Sequence, residues 1–389
     1  MNKKILLCNL SYYPEVGGVE NSIKSLKDAY IKNGYDVDLI VGTKNKSTII
    51  EKSSNISYFQ RNYFSSRIGF IINPILTIIQ IIILLNKAKR KNYDICICRN
   101  QLLSTIGLLF FKDKLVYIAP GFAFMQQNTN NLGNNLKRRL SKAINEKLDY
   151  ITLKYAKKIY VFSQNMAEQA LHITPLCRKK LFITNPGVDI HRFIPYSLLN
   201  KDILSKNKNI KNNNIKNKII VCVGRLVKAK GFNYVINTIA LLPEDYTCLI
   251  VGNGPEYDNL ITLIKNLSLE DRVTIITDCN TPEKIYPLGF VFIMSSIYEP
   301  FGQTILEAMS CNLPIIAFSP SKDVITATKD ICGNYATYVD LDCTALAQAI
   351  LNTTSSSNSN SREYVKKNYS WERLSLELIN ELHLKNHDK

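Results

Sequence analysis

The sequence predicts an α/β protein of two Rossmann-like domains in tandem, each built on an open parallel sheet, and three observations carry that expectation. A strand-loop-helix-strand unit opens the chain, the same unit recurs after the middle, and 389 residues with 46% apolar side chains are enough to bury two separate cores.

Lys4 to Cys8 reads as a buried strand, Ser11 to Gly18 as a loop, and Val19 to Asn33 as a helix with Ile23, Leu26 and Tyr30 on one stripe. Gly34 stops that helix, and Val37 to Val41 is the next strand. In the second half Ile219 to Val223 is a strand, Phe232 to Leu241 a helix, Cys248 to Val251 a strand and Tyr257 to Leu267 a helix. The expected division is residues 1–190, residues 191–370, and a C-terminal helix over 371–389 that crosses back to the first domain. Residues 200–218, nearly all Asn, Lys and Ile, read as a mobile surface insertion. Asn352 to Ser361 is a second low-complexity run, joining the last core helix to a terminal helix that begins near Trp371.

The ten cysteines are scattered, include no Cys-x-x-Cys, and mostly fall inside apolar runs. They read as buried reduced thiols of a cytosolic protein, with no zinc and no disulfide expected; Cys96 and Cys98 alternate on one strand face, which suits packing. The start, MNKKILLCNL, carries an apolar stretch of only about six residues, too short for a secretory signal, so the chain is expected to stay in the cytoplasm. Ile68 to Leu85 is apolar but holds Gly69, Asn73, Pro74, Thr77 and Gln80, and reads as a peripheral helix rather than a membrane span.

The net charge of +17 lies wholly in the first half: up to Pro195 there are 29 Lys and Arg against 12 Asp and Glu, whereas from Tyr196 onward the two counts are equal at 20. Lys87, Lys89, Arg90 and Lys91 form one basic patch; Lys137, Arg138, Arg139, Lys142 and Lys147 form another. Such patches suit anionic lipid or an anionic acceptor. No aromatic-interleaved basic motif accompanies them, so nucleic acid is not an expected partner.

The densest chemistry lies in Glu299-Pro300-Phe301-Gly302-Gln303-Thr304-Ile305-Leu306-Glu307, which follows a buried strand, Phe290 to Met294, and leads into a helix. Pro300 forces Glu299 into an extended conformation and displays it at the strand-to-helix corner. Ile305, Ala308 and Met309 form the apolar stripe of the helix, and Glu307 lies off it. The unpaired amides of Gly302, Gln303 and Thr304 sit at a helix N-terminus, where a diphosphate is favoured by free N–H groups and the helix dipole. Arg225 and Lys230 flank a second strand-to-helix turn, after Val223 and Gly224.

Glu-x7-Glu with this Glu-Pro-Phe-Gly opening resembles the signature of the retaining glycosyltransferase family 4 (glycosyl transferases group 1), whose members have the GT-B fold, two Rossmann-like domains facing a cleft. Gly17-Gly18-Val19-Glu20, Pro186-Gly187-Val188-Asp189 with Phe193, Gly224-Arg225-Leu226 with Lys230-Gly231, and Gly252-Asn253-Gly254-Pro255 support it in the expected order. The resemblance implies that Arg225 and Lys230 hold the donor diphosphate, Glu307 the ribose hydroxyls and Glu299 the sugar hydroxyls. The loop at Gly17 and Gly18 would approach the phosphates, with Phe301, Gly302, Gln303, Thr304, Gly224 and Gly254 completing the donor site. The implied donor is a UDP- or GDP-sugar, and the implied acceptor a glycan, polyprenyl-linked, in bacterial surface polysaccharide synthesis at the inner face of the cytoplasmic membrane. Arg225 and Lys230 remove the need for a metal, and no cofactor is expected. Asp36-Val37-Asp38 matches the Asp-x-Asp string of metal-dependent glycosyltransferases of another fold, but here begins a strand.

Three departures stand out. Many relatives carry a histidine after a strand like Lys114 to Ile118, where this chain has Ala119-Pro120-Gly121. Asp278 to Pro287 is short and lacks the expected glycine, and Ser319-Pro320-Ser321-Lys322-Asp323 replaces a glycine pair and a glutamate. The missing histidine motivates a second reading, a catalytically silent GT-B binding partner; a third is a nucleotide-sugar epimerase of the same fold, told apart by turnover without an acceptor. His191 reads as a structural or solvated linker residue.

Overall fold

A computed structural model of the chain describes residues 3–12, 18–43, 55–61, 63, 69–122, 136–198, 218–299, 302–354 and 360–383. It divides into two compact units, Met1–Gly187 with Trp371–Lys389, and Val188–Ser370.

The first unit is a seven-stranded parallel sheet of order β3-β2-β1-β4-β5-β6-β7. Its strands are β1 Lys4–Asn9, β2 Asp36–Thr43, β3 Ile56–Gln60, β4 Ile95–Cys98, β5 Leu115–Ile118, β6 Lys158–Val161 and β7 Leu181–Ile183. The helices that connect them are α1 Gly18–Lys32, α2 Gly69–Lys89, α3 Gln101–Phe111, α4 Leu136–Tyr155 and α5 Gln164–Ile173. Parallel strands need crossovers, and right-handed ones put α1 on one face of this sheet and α2 to α5 on the other. The central strands β4 and β5 are buried along their whole length, so they read as unbroken apolar runs rather than alternating ones.

The expected stripe of α1 is fully buried at Ile23, Leu26 and Tyr30. Asp36 and Asp38 do open a strand. Asp38 accepts from Lys91 Nζ at 2.7 Å and from the Tyr93 hydroxyl, which commits it to structure. Cys8, Cys96 and Cys98 meet inside the sheet with their sulfurs all within 4.8 Å, because Cys8 and Cys98 are register partners on β1 and β4; all three are free thiols.

The second unit is a six-stranded parallel sheet of order β10-β9-β8-β11-β13-β15 with a two-stranded ribbon, β12-β14. In chain order its elements are β8 Lys218–Val223, α6 Phe232–Ile239, β9 Tyr246–Val251, α7 Tyr257–Asn266, β10 Val273–Ile276, β11 Val291–Met294, β12 Tyr298–Glu299, α8 Gln303–Ser310, β13 Ile315–Phe318, β14 Ile325–Thr326, α9 Thr328–Cys332, β15 Thr337–Val339, α10 Cys343–Leu351 and α11 Ser361–Asn368. One apolar cluster packs α6, α7 and α10 on one face, and another packs α8, α9 and α11 on the other.

The chain then returns to the first unit as α12, Trp371–His383, with Glu372 paired to Lys32 at 3.2 Å and Ser375 Oγ accepting from Asn33 at 3.1 Å. Trp371 lies where a Cβ at Gly187 would strike its ring, so the glycine keeps the two passes of the chain in contact. The first unit closes at Gly187 rather than at residue 190.

Two expectations change. The Asn- and Ser-rich run does not lead straight to Trp371: helix α11 intervenes, and its Ser361 and Val365 are fully buried. Ser361 hydrogen-bonds to the Met309 carbonyl at 3.3 Å, a packed role that a count of serines conceals. The insertion expected over 200–218 ends one residue sooner, because Lys218 already opens β8; its other residues lie outside those described.

Candidate functional site

The site-bearing residues of the second unit gather at the carboxyl ends of β8, β11 and β12, the end at which open parallel sheets hold ligands. Beyond β8 the chain turns through Gly224, Arg225 and Leu226, laced to the neighbouring loop: Leu226 N–H donates to the Asn253 carbonyl at 3.0 Å and Glu256 N–H to the Leu226 carbonyl at 3.0 Å. Gly254 is needed there because a Cβ would run into the Leu226 carbonyl. Arg225 is left exposed on this turn, and among the described residues its guanidinium carries no hydrogen bond or ion pair.

Lys230 ends a short 3-10 turn, Lys228–Lys230, and Gly231 follows with φ 62°. That left-handed conformation and the space both require glycine, since a Cβ would land on the Ser295 carbonyl. Two further contacts fasten the turn to the end of β11: Ser295 Oγ donates to the Lys230 carbonyl at 2.8 Å, and Ile297 N–H to the Ala229 carbonyl at 2.9 Å. The Lys230 stem passes over Gly224, whose Cβ would lie 3.4 Å from Cε.

The Lys230 ammonium ends in a direct ion pair with Glu299. Glu299 was expected to stand displayed at the corner. It is instead 8% exposed on β12, whose ribbon partner is β14, and it holds Lys230. Two opposite charges in a shielded position draw together because little water competes for either. Lys230, Glu299 and Gly224 are thus brought into one cluster.

Gly302 caps α8 in the left-handed region, φ 71° and ψ 32°, with no side-chain cap. The first intrahelical donors are Ile305 and Leu306, both to the Gly302 carbonyl, which leaves the amides before them directed out of the helix end. Ile305, Ala308 and Met309 are fully buried, as their stripe required. Thr304 lies against Met294 of β11, Oγ1 to Sδ 3.9 Å. Pro300, Phe301 and Gly17 lie outside the described residues, and Gly18 opens α1.

Glu307 sits in a different company from Glu299. Its Oε2 accepts from the Tyr286 hydroxyl at 2.7 Å, and Gln303, one helical turn before it, also donates to it. Arg192 and Glu283, ion-paired at 2.8 Å, lie within electrostatic reach. Burial is the dominant influence and pushes the Glu307 carboxyl up to about 7, against the opposing pull of Tyr286, Arg192 and Gln303. Tyr286 is fully buried, and burial together with the Glu307 charge raises its own phenol well above the ordinary value.

Tyr286, Arg192 and Glu283 did not emerge from sequence reasoning. Asp189 was a usable signal: its Oδ1 accepts from the backbone N–H of His191 at 3.1 Å and of Arg192 at 3.0 Å, so the Pro-Gly-Val-Asp motif folds the turn that presents Arg192. Arg362 of α11 clamps the same turn through the carbonyls of Ile190 and Phe193.

Chemically, the second unit combines an exposed cation, a buried lysine-carboxylate pair, helix-end amides and a carboxylate held near neutrality. Such a set suits a ligand with an anionic centre flanked by hydroxyls. Two parallel-sheet α/β units in tandem are the architecture of the GT-B fold.

Residues 205–370 match the family of glycosyl transferases group 1. The chain is 27% identical over 324 residues to an uncharacterised glycosyltransferase of Haemophilus influenzae, covering 79% of this chain and 78% of that one. It is 26% identical over 252 residues to the N-acetylgalactosamine-N,N'-diacetylbacillosaminyl-diphospho-undecaprenol 4-alpha-N-acetylgalactosaminyltransferase of Campylobacter jejuni, covering 63% and 64%. Among solved structures, Anabaena HepE in complex with UDP and glucose superposes with a TM-score of 0.74 at 17% identity, covering 98% of this chain and 99% of that one.

Proposed function

We propose that the protein is a retaining, metal-independent glycosyltransferase that moves a sugar from a UDP- or GDP-sugar to a polyprenyl-linked glycan acceptor in bacterial surface polysaccharide synthesis. The observation that carries this reading is the Lys230–Glu299 pair on glycine-enforced turns, beside the strand-end loop of Arg225. The likeness to a Campylobacter enzyme whose name specifies a diphospho-undecaprenol acceptor favours a lipid-linked glycan, and the likeness to a UDP-bound structure favours UDP.

In the proposed reaction the acceptor oxygen forms a bond to the anomeric carbon as the bond from that carbon to the donor diphosphate breaks. The diphosphate leaves with the electron pair, and the acceptor proton passes to a phosphate oxygen on the same face. Arg225, Lys230 and the amides at the start of α8 stabilise the charge that grows on the leaving group, which no metal is then needed to neutralise. Glu299, once Lys230 engages phosphate, is free to accept from sugar hydroxyls, and Glu307 accepts from the ribose. The acceptor-facing chemistry belongs to the first unit, whose positive charge suits an anionic bilayer at the cytoplasmic face.

The test is donor hydrolysis and transfer by the purified chain, with UDP- and GDP-sugars and an extract of polyprenyl-linked glycan. Turnover that needs both donor and acceptor, leaves the anomeric configuration unchanged and persists in a metal chelator supports the proposal. Absence of any donor binding by wild type, or turnover without acceptor that yields an epimer, overturns it.

A further inference from the structure

Helix α2 is built inside out. Three of its polar residues face the protein: Asn73 Oδ1 accepts from Tyr63 N–H at 3.1 Å, Thr77 Oγ1 donates to the Gln60 carbonyl at 3.1 Å, and Gln80 Oε1 accepts from Gln60 N–H at 2.9 Å. These three groups tie the helix to the end of β3, and Ile81 and Leu85 complete the buried face. The isoleucines on the other side are turned outward, Ile75 54%, Ile79 46%, Ile82 39% and Ile83 48% exposed. Spacings of 4, 3 and 1 keep them on one stripe of a 3.6-residue helix, about 12 Å long at 1.5 Å per residue. A soluble protein ordinarily does the reverse, and a contiguous outward apolar stripe marks a contact surface.

Over Ile72–Lys89 the helix is long and apolar enough to cross a membrane, yet the hydrogen bonds of its own polar residues lock it to a parallel sheet, so it cannot cross a bilayer while folded. It can lie on one. At its C-terminal end Lys87, Lys89 and, one residue beyond the helix, Arg90 are exposed and, among the described residues, form no ion pair, whereas Lys91 is taken by Asp38. An outward apolar stripe that runs into exposed cations has the pattern of an interfacial helix, apolar face in the acyl boundary and basic groups at anionic headgroups. The same charge argues against a second copy as the occupant, because the excess of +17 falls entirely within the half of the chain that carries α2.

We infer that the outward face of α2, Ile75, Ile79, Ile82 and Ile83 with Lys89 and Arg90, is the surface by which the protein docks on an anionic lipid leaflet. The inference deepens the lipid-linked reading above and rests on it for its biological sense, but is tested apart from it. The cations concentrate the protein at the surface, which makes attachment salt-dependent, and the apolar side chains add to it once the helix is seated.

The experiment is flotation of the full chain with phosphatidylcholine vesicles with and without about 30 mol% phosphatidylglycerol, at low and high salt. Wild type should float with anionic vesicles and fall away as salt rises. I79S/I83S and K89Q/R90Q should each lower the partition coefficient by about tenfold or more, with unchanged circular dichroism melts and unchanged donor hydrolysis in solution. Wild-type flotation by I79S/I83S, attachment that resists both high salt and alkaline carbonate, or a wild-type dimer that I79S/I83S dissociates in the absence of lipid, would each overturn the surface. Loss of flotation with hydrolysis intact is a finding about α2. Absence of wild-type hydrolysis with flotation intact is a finding against the transferase reading alone.

Discussion

The carboxyl of Glu307 costs the protein stability, and E307Q should recover it. An acid whose folded-state value is raised keeps its proton in the native state while the unfolded chain has already released it. Between the ordinary 4.5 and about 7 the native state therefore binds more protons, and stability falls as pH rises through that window. Below 4.5 the group is neutral in both states and costs nothing; above 7 the whole penalty is present. Each tenfold change in proton affinity is about 1.4 kcal/mol, which sets a ceiling of about 3.5 kcal/mol; the side chain is only half-buried, and solvent screening reduces this to about 1–2 kcal/mol. Gln at 307 has the same shape, still accepts from the Tyr286 hydroxyl, and cannot ionise. Urea unfolding at pH 5 and pH 8 measures it: the gain of E307Q over wild type should be larger by about 1–2 kcal/mol at pH 8. The same substitution should weaken UDP binding by about tenfold at pH 8, because a charged acceptor is replaced by a neutral one, and should flatten a wild-type affinity that rises through about pH 7. Equal gains at both pH values would refute the assignment of a burial-raised carboxyl at 307.

G231A should lower the thermal midpoint through a cost of about 2–4 kcal/mol, from the left-handed backbone and the collision with the Ser295 carbonyl; a melt within a degree of wild type would contradict the geometry of this turn. R225A should leave the melt unchanged, since the exposed side chain has no partner among the described residues. It should nevertheless slow donor hydrolysis by about a hundredfold or more, the effect of removing one fixed donor from a developing oxyanion.

Much of the fold was legible because both sheets are parallel. Strands covered on both faces read as short apolar runs, such as Ile95–Cys98 and Ile315–Phe318, and the helices between them carry clear stripes. The glycines of the turns were legible for the same reason: backbone approaches to Ser295 and Leu226 leave no room for another residue. Partnerships were not legible. Tyr286 and Glu307 are 21 positions apart, and Lys230 and Glu299 are 69 apart, so neither pair leaves a periodic trace. Local composition misled twice. Serines near 361 suggested a linker where α11 packs, and the polar residues of α2 counted against a membrane span without revealing that they face the sheet.

The Lys230–Glu299 pair supports two interpretations, a structural strut and a loaded donor grip, and one double-mutant cycle separates them. K230A strands a carboxylate that is 8% exposed, and losing one partner of a shielded pair costs about 3 kcal/mol. E299Q alone leaves the ammonium with a neutral acceptor at closer to 1 kcal/mol. The double variant removes both charges, so its stability should return to within about 1 kcal/mol of wild type, with a coupling of about 3 kcal/mol in urea. Activity should not follow. If Lys230 stabilises the departing diphosphate, K230A and the double variant should both be slowed by about a hundredfold or more, because restoring a neutral site does not restore a cation. A double variant that regains turnover together with stability would make the pair a strut and shift diphosphate neutralisation to Arg225 and the helix-end amides. A double variant that is stable and slow assigns the lysine to the leaving group, with Glu299 holding it in place until phosphate arrives.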